Sequence, residues 1–115
     1  MTLSPDVLVL PAFTAAEYTG DASEVAPWLD RYEFDQQVDV AGLQYPLRFD
    51  TGTNLALAST GIGKSAAATT VTAVASNCDL SETTILSVGI AGCRPAAGTL
   101  GSVFIADSVV DWDIK

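Results

Sequence analysis

Short apolar blocks separated by polar turns predict an alternation of strands and helices along the chain. Residues 7–10 form a continuous apolar run closed by Pro11, the pattern of a buried strand that leads into a loop. Ser23, with Pro27 in the first turn that follows, predicts a capped helix over about 24–32. The first quarter of the chain is therefore predicted to be a strand followed by a helix.

The middle of the chain predicts a hairpin and then a strand, a helix and a second strand. Apolar and polar residues alternate from 38 to 49, which predicts a peripheral hairpin with one face exposed to solvent. Short apolar runs at 55–59 and 84–88 predict buried strands. Between those strands a helix is predicted over about 64–77, and the strands should be parallel neighbours joined by this helix. We therefore expect an α/β fold. The predicted buried face of the helix has apolar residues three and four apart: Ala67, Val71, Val74, Ala75 and Cys78.

The last part of the chain continues an extended pattern after a glycine-rich loop. Val103, Ile105, Val109 and Val110 predict a strand over about 103–114 that reaches the end of the sequence. A domain normally ends in an exposed, polar turn or tail. We therefore expect residues 1–115 to be the N-terminal portion of a larger domain.

Composition and charge exclude several classes of function. The 115 residues are 49% apolar, which suffices for one modest core. Fourteen acidic residues against five basic ones give a net charge of −9, which disfavours binding to nucleic acids and anionic membranes. Histidine is absent, so Ser-His-Asp sites and His-ligated zinc sites are excluded within this chain, and no metal site is expected. Cys78 and Cys93 are predicted to be buried free thiols.

The sequence shows neither an export signal nor a membrane-spanning segment. The apolar run at 7–10 is too short for a signal-peptide core. The longest uncharged stretch, 65–78, falls short of the roughly 20 apolar residues that a spanning helix needs. We expect a cytoplasmic protein.

Two glycine-containing turns follow predicted strands, at the edge where open α/β sheets bind ligands. Glycine lets backbone amides approach a ligand without interference from a side chain, although each turn has a simpler explanation as a tight strand exit. The candidate binding residues are Thr60, Gly61 and Gly63 in the first turn, and Gly89, Ile90, Ala91 and Gly92 in the second.

The first turn also has partial matches to two nucleotide-binding motifs. A phosphate loop would need a glycine where this chain has Ala58, so the spacing fails. The dinucleotide fingerprint Gly-x-Gly-x-x-Ala does match, but it requires an acid at the tip of the following strand. Asp79 and Glu82 precede that strand instead. A dinucleotide-dependent enzyme is therefore the weakest alternative, and we expect no cofactor.

Acidic residues cluster in the loop after the first strand, at the same predicted edge. They are Glu17, Asp21 and Glu24. A carboxylate near an apolar crevice can act as a general base on water or accept hydrogen bonds from ribose hydroxyls. The alternative is a solvated loop in which Asp21 or Ser23 caps the next helix.

Several short segments, in order along nearly the whole chain, together resemble the purine nucleoside permease family, a branch of the nucleoside phosphorylase superfamily. The resemblance implies a mixed sheet flanked by helices and the binding of purine nucleosides in uptake or salvage. Family members are longer, and this chain resembles their N-terminal portion; we expect the full-length protein to be a homo-oligomer. The matching segments are 12–13 with 17–21, 60–63, 79–81, 89–92, 100–102 and 109–111.

The resemblance also implies roles for individual residues. Glu17, Thr19 and Asp21 would face phosphate or water, and 89–92 would line the ribose. Phosphorylases commonly have serine at the second position of the latter turn and arginine shortly before it, whereas this chain has Ile90. A bidentate grip on phosphate is thereby weakened, although phosphate remains a second candidate ligand. The alternative function is a nucleosidase or phosphorylase that cleaves the N-glycosidic bond, with Glu17 or Glu24 activating water.

Overall fold

A computed structural model describes residues 2–14 and 23–112 of the chain. These residues form a mixed five-stranded sheet and two helices, which confirms the predicted α/β class. In chain order the elements are β1 (Val7–Leu10), α1 (Ala26–Arg31), β2 (Gln36–Val38), β3 (Leu47–Asp50), β4 (Leu55–Leu57), α2 (Lys64–Asn77) and β5 (Thr84–Ser87). The strand order across the sheet is β2-β3-β4-β1-β5.

Strand β1 lies at the centre of the parallel part of the sheet. Val9 is in register with Leu57 of β4 on one side and with Leu86 of β5 on the other. Leu8 and Val9 are completely buried, because the strand is covered on both faces and paired on both edges. The prediction that β4 and β5 are neighbours is therefore wrong. They run parallel to each other, but β1 separates them.

The predicted hairpin forms at the opposite side of the sheet. Strands β2 and β3 pair antiparallel, with Val38 opposite Leu47, and β2 is the edge strand. Strand β3 also pairs antiparallel with β4, where Phe49 is opposite Ala56. The hairpin is peripheral, as predicted, and it is continuous with the main sheet.

The two helices cover opposite faces of the sheet. Val74 of α2 packs with Leu8 and Leu10 of β1, whereas Val25 at the start of α1 packs in a second cluster with Val9. Because side chains alternate between the two faces of a strand, these clusters lie on opposite sides of the sheet. The sheet thus divides the core into two clusters, one on each face.

The two helices differ in how closely they follow the sequence prediction. Helix α2 has the predicted bounds, but its buried positions include Thr70, and Ala75 is exposed instead of buried. Helix α1 is shorter than predicted. Before its start the Ser23 hydroxyl accepts hydrogen bonds from the amides of Val25 and Ala26, each at 3.1 Å, but the N-cap position is Val25, which has no side-chain cap, so Ser23 is not the capping residue as predicted.

Residues 88–112 contain neither a helix nor a strand, so the strand predicted over 103–114 is wrong where the structure describes it. The last two positions of that prediction lie outside the described residues. A strand needs a partner for its backbone N–H and C=O groups, and no strand of the described ranges pairs with the outer edge of β5. The apolar side chains of this segment consequently lie in solvent, Leu100, Val103 and Ile105 among them.

The two cysteines have different environments. Cys78 is buried, as predicted, but Cys93 is exposed because it lies in the irregular segment after β5. Burial raises the pKa of the Cys78 thiol. No helix in residues 2–14 and 23–112 combines the length and apolar character needed to cross a bilayer.

Candidate functional site

Strands β1, β4 and β5 run parallel, so their carboxyl ends meet at one edge of the sheet. The amide of Thr60, after β4, donates to the Pro11 carbonyl at 2.9 Å. On the other side, the amide of Val88 donates to the Leu10 carbonyl at 3.2 Å. The exit of β1 therefore lies between the two glycine-containing turns, and this edge is the candidate site.

The carboxylate of Glu24 joins two of these exits. Its Oε1 accepts a hydrogen bond from the Ala12 amide at 2.8 Å, and its Oε2 accepts one from the Ile90 amide at 2.7 Å. The amide of Glu24 also donates to the Phe13 carbonyl at 3.3 Å. One half-buried side chain thus connects the loop after β1 to the loop after β5. We call this arrangement, made of Glu24 with the amides of Ala12 and Ile90, the carboxylate bridge.

Gly89 is required by the position of this bridge. A Cβ atom on Gly89 would lie 3.0 Å from Cδ of Glu24 and closer still to Oε2. Any side chain here would therefore displace the carboxylate. At Gly92, in the same turn, an added Cβ would meet no atom within 4 Å. Of these two glycines, only Gly89 is needed for space.

The turn after β4 has a different reason for its glycines. Gly61 and Gly63 have φ values of 81° and 104°, which L-residues with a side chain rarely adopt. The buried hydroxyl of Thr70 donates to the Thr60 carbonyl at 3.2 Å and ties the turn to α2. The cleft beside this turn measures about 230 Å³, below the roughly 300 Å³ at which small-molecule pockets begin. This turn is explained by local geometry.

A larger groove lies between β5 and the irregular segment. It measures about 580 Å³, within the usual range for small-molecule pockets. Ile85, Leu86 and Gly89 line one side, and Phe104 and Ile105 line the other. Because Gly89 lines the groove and also lies against the Glu24 carboxylate, the groove adjoins the carboxylate bridge. Phe104 is 59% exposed.

The structure distributes the remaining candidate residues over separate places. Ala91 and Gly92 line a third cleft of about 280 Å³, which also includes Phe104. The side chain of Ile90 points largely into solvent, with 77% exposure. Glu17, Thr19 and Asp21 lie outside the described residues.

Four further charged residues lie away from the bridge. Asp79 and Glu82 precede β5, at the amino-terminal edge of the sheet, where the Asp79 amide donates to the Leu3 carbonyl at 2.8 Å. This edge is opposite to Gly61, so the geometry required for dinucleotide binding is not present. Lys64, at the start of α2, forms an exposed ion pair with Asp111 at 2.9 Å.

Sequence reasoning missed two features of this edge. Ala12 contributes only its backbone amide, for which the sequence carries no signal. Phe104 falls in an alternating apolar segment that predicts a core strand, so nothing distinguished its ring as exposed.

Comparisons with known proteins give a consistent result. A family model described as purine nucleoside permease matches residues 4–115. A protein named probable purine nucleoside permease, from Schizosaccharomyces pombe, is 33% identical over 117 residues, which cover 96% of this chain and 31% of the relative. The chain thus spans about a third of the length of that relative. No solved structure matches the chain.

Proposed function

The chain belongs to the purine nucleoside permease family, and on that premise we propose that it provides part of a purine nucleoside binding site used in nucleoside uptake or salvage. The observation that carries the proposal is the groove of about 580 Å³ that ends at the Gly89 turn. Its size suits a nucleoside, and its walls are mainly apolar.

The residues that line the groove offer two kinds of chemistry. The exposed ring of Phe104 gives a purine base an aromatic surface on which to stack, an interaction worth about 1–3 kcal/mol in single-stranded nucleic acid complexes. Ser87, next to the Gly89 turn, also lines the groove and brings a hydroxyl group for the ribose. A nucleoside placed along the groove would therefore have its base on the apolar part and its sugar near the turn.

Isothermal titration calorimetry of the full-length protein with adenosine, guanosine and inosine tests the proposal, with uridine as the comparison ligand. We expect binding of at least one purine nucleoside in preference to uridine. Phe104→Ala should weaken purine binding about tenfold through the loss of stacking. Trp112→Ala is the matched control, because this aromatic side chain is 94% exposed and lies outside the groove. No binding of any of the three purines at millimolar concentration would refute the proposal.

Cleavage of the N-glycosidic bond is not part of the proposal. Glu17 lies outside the described residues, and both carboxylate oxygens of Glu24 already accept backbone hydrogen bonds. Their role as bases that activate water stays a prediction. A base-release assay with and without phosphate examines it directly.

A further inference from the structure

We propose that the amides of Ala12 and Ile90 form an oxyanion site that the chain fills with its own Glu24 carboxylate. Phosphate is thereby kept out of the space between the exits of β1 and β5. In the carboxylate bridge, two backbone donors from different loops meet one anionic group at 2.8 and 2.7 Å.

Backbone amides are well suited to hold an anion, because they are fixed in place by the chain and carry no counter-charge of their own. The amides of Ala12 and Ile90 follow two neighbouring parallel strands, so the sheet sets the distance between them. Their distances to Glu24 fall in the range of charge-assisted N–H···O⁻ bonds. The site is therefore built by the backbone and would persist without the Glu24 side chain.

The second observation is that residue 89 is a glycine and has no side chain. A Cβ atom there would approach both Cδ and the oxygens of the carboxylate. The space above this residue is therefore taken by the anionic group itself. The turn after β5 is shaped to admit a planar oxyanion at one position, and Glu24 occupies it.

An external phosphate would need the same two amides, and it would bring its charge against the carboxylate. Like charges at such short separation repel strongly, and the net charge of −9 adds to the effect. Nucleoside binding should then be independent of phosphate. This last consequence rests on the proposed function, whereas the oxyanion site does not.

The test uses Glu24→Ala and acetate. The heavy atoms that this substitution removes are those of acetate, and both amides remain. We expect acetate to raise the thermal unfolding midpoint of Glu24→Ala by about 4 °C or more over chloride at equal ionic strength. The unchanged protein and the control Glu82→Ala, an exposed acid at the opposite edge, should respond equally to acetate and chloride. Phosphate, in a parallel series, should likewise stabilise Glu24→Ala more than the unchanged protein.

Equal responses of Glu24→Ala and the unchanged protein to both anions would overturn the proposal. If Glu24→Ala does not fold in chloride, its refolding yield in acetate replaces the midpoint, and no recovery in acetate is equally contradictory. Glu24→Gln provides a further check. Its amide group fills the site but sets an N–H donor against a backbone donor, so it should be less stable and insensitive to acetate.

The two proposals fail separately. An acetate response without nucleoside binding would refute the proposed function and keep the oxyanion site. Nucleoside binding that requires phosphate in the unchanged protein would refute the occupation of the site by Glu24.

Discussion

Replacing Gly89 with alanine gives a direct measure of how strongly the carboxylate bridge stabilises the fold. The added Cβ would lie 3.0 Å from Cδ of Glu24, whereas ordinary contact begins at 3.4 Å, so Cδ must move by at least about 0.4 Å and the nearer oxygen by more. That oxygen accepts the 2.7 Å bond from the Ile90 amide. The displacement therefore falls on this hydrogen bond first.

The magnitude follows from the loss of one hydrogen bond to a charged group, about 1.5–3 kcal/mol. Glu24 is half-buried, so water replaces part of the lost interaction and the lower end applies. The backbone at Gly89 is not left-handed, so alanine returns about 0.4–1 kcal/mol through the smaller entropy of the unfolded chain. We expect Gly89→Ala to lower the free energy of unfolding by about 0.5–1 kcal/mol.

Urea denaturation followed by circular dichroism provides the measurement, with Gly92→Ala as the matched control. At Gly92 the added Cβ meets no atom within 4 Å, so this change should be neutral or stabilise by up to about 1 kcal/mol. In a Glu24→Ala background, Gly89→Ala should no longer lower the free energy of unfolding, because the carboxylate that the added Cβ would contact is absent. If Gly89→Ala is as stable as Gly92→Ala, or costs the same with and without Glu24, the bridge does not exist as described.

Three further predictions concern other parts of the molecule. Exposed apolar side chains in 100–112 should cause the protein to self-associate. Self-association should increase with salt, because salt screens the repulsion from the net charge of −9 beyond about 10 Å at 0.1 M. A compact monomer at every salt concentration in sedimentation velocity would contradict this. Cys93 is exposed and should react quickly with a thiol reagent in the folded protein. Cys78 should react only on unfolding, because burial shields its thiol and raises its pKa. The fast phase of the reaction should be absent in Cys93→Ser. Hydrogen bonds from the amide and hydroxyl of Thr51 lower the pKa of Asp35 in the folded protein. The contribution of Asp35 to stability is therefore present above its unfolded pKa of about 3.9 and is lost as the pH falls through the lower folded pKa. Asp35→Asn should flatten the dependence of the urea midpoint on pH in that range.

The sequence by itself determined the local elements. The run at β1 and the spacing of α2 each lie within one continuous segment, and both elements have the predicted positions, with α2 starting at Lys64 and ending at Asn77. The sequence also indicated that Ser23 would contact the start of α1, and its hydroxyl accepts hydrogen bonds from two amides there, although Val25 and not Ser23 occupies the N-cap position. Apolar periodicity and capping are short-range effects, so one sequence is enough to reveal them.

Only the tertiary structure decided which elements lie next to each other. Any strand edge offers the same N–H and C=O groups, so the pattern could not show that β1 separates β4 from β5, or that 103–112 would find no partner strand in the described structure. The acid Glu24 was visible as a candidate, but its contacts are backbone amides that any residue carries. The carboxylate bridge exists because the sheet places the exits of β1 and β5 side by side, and that long-range arrangement has no local signature in the sequence.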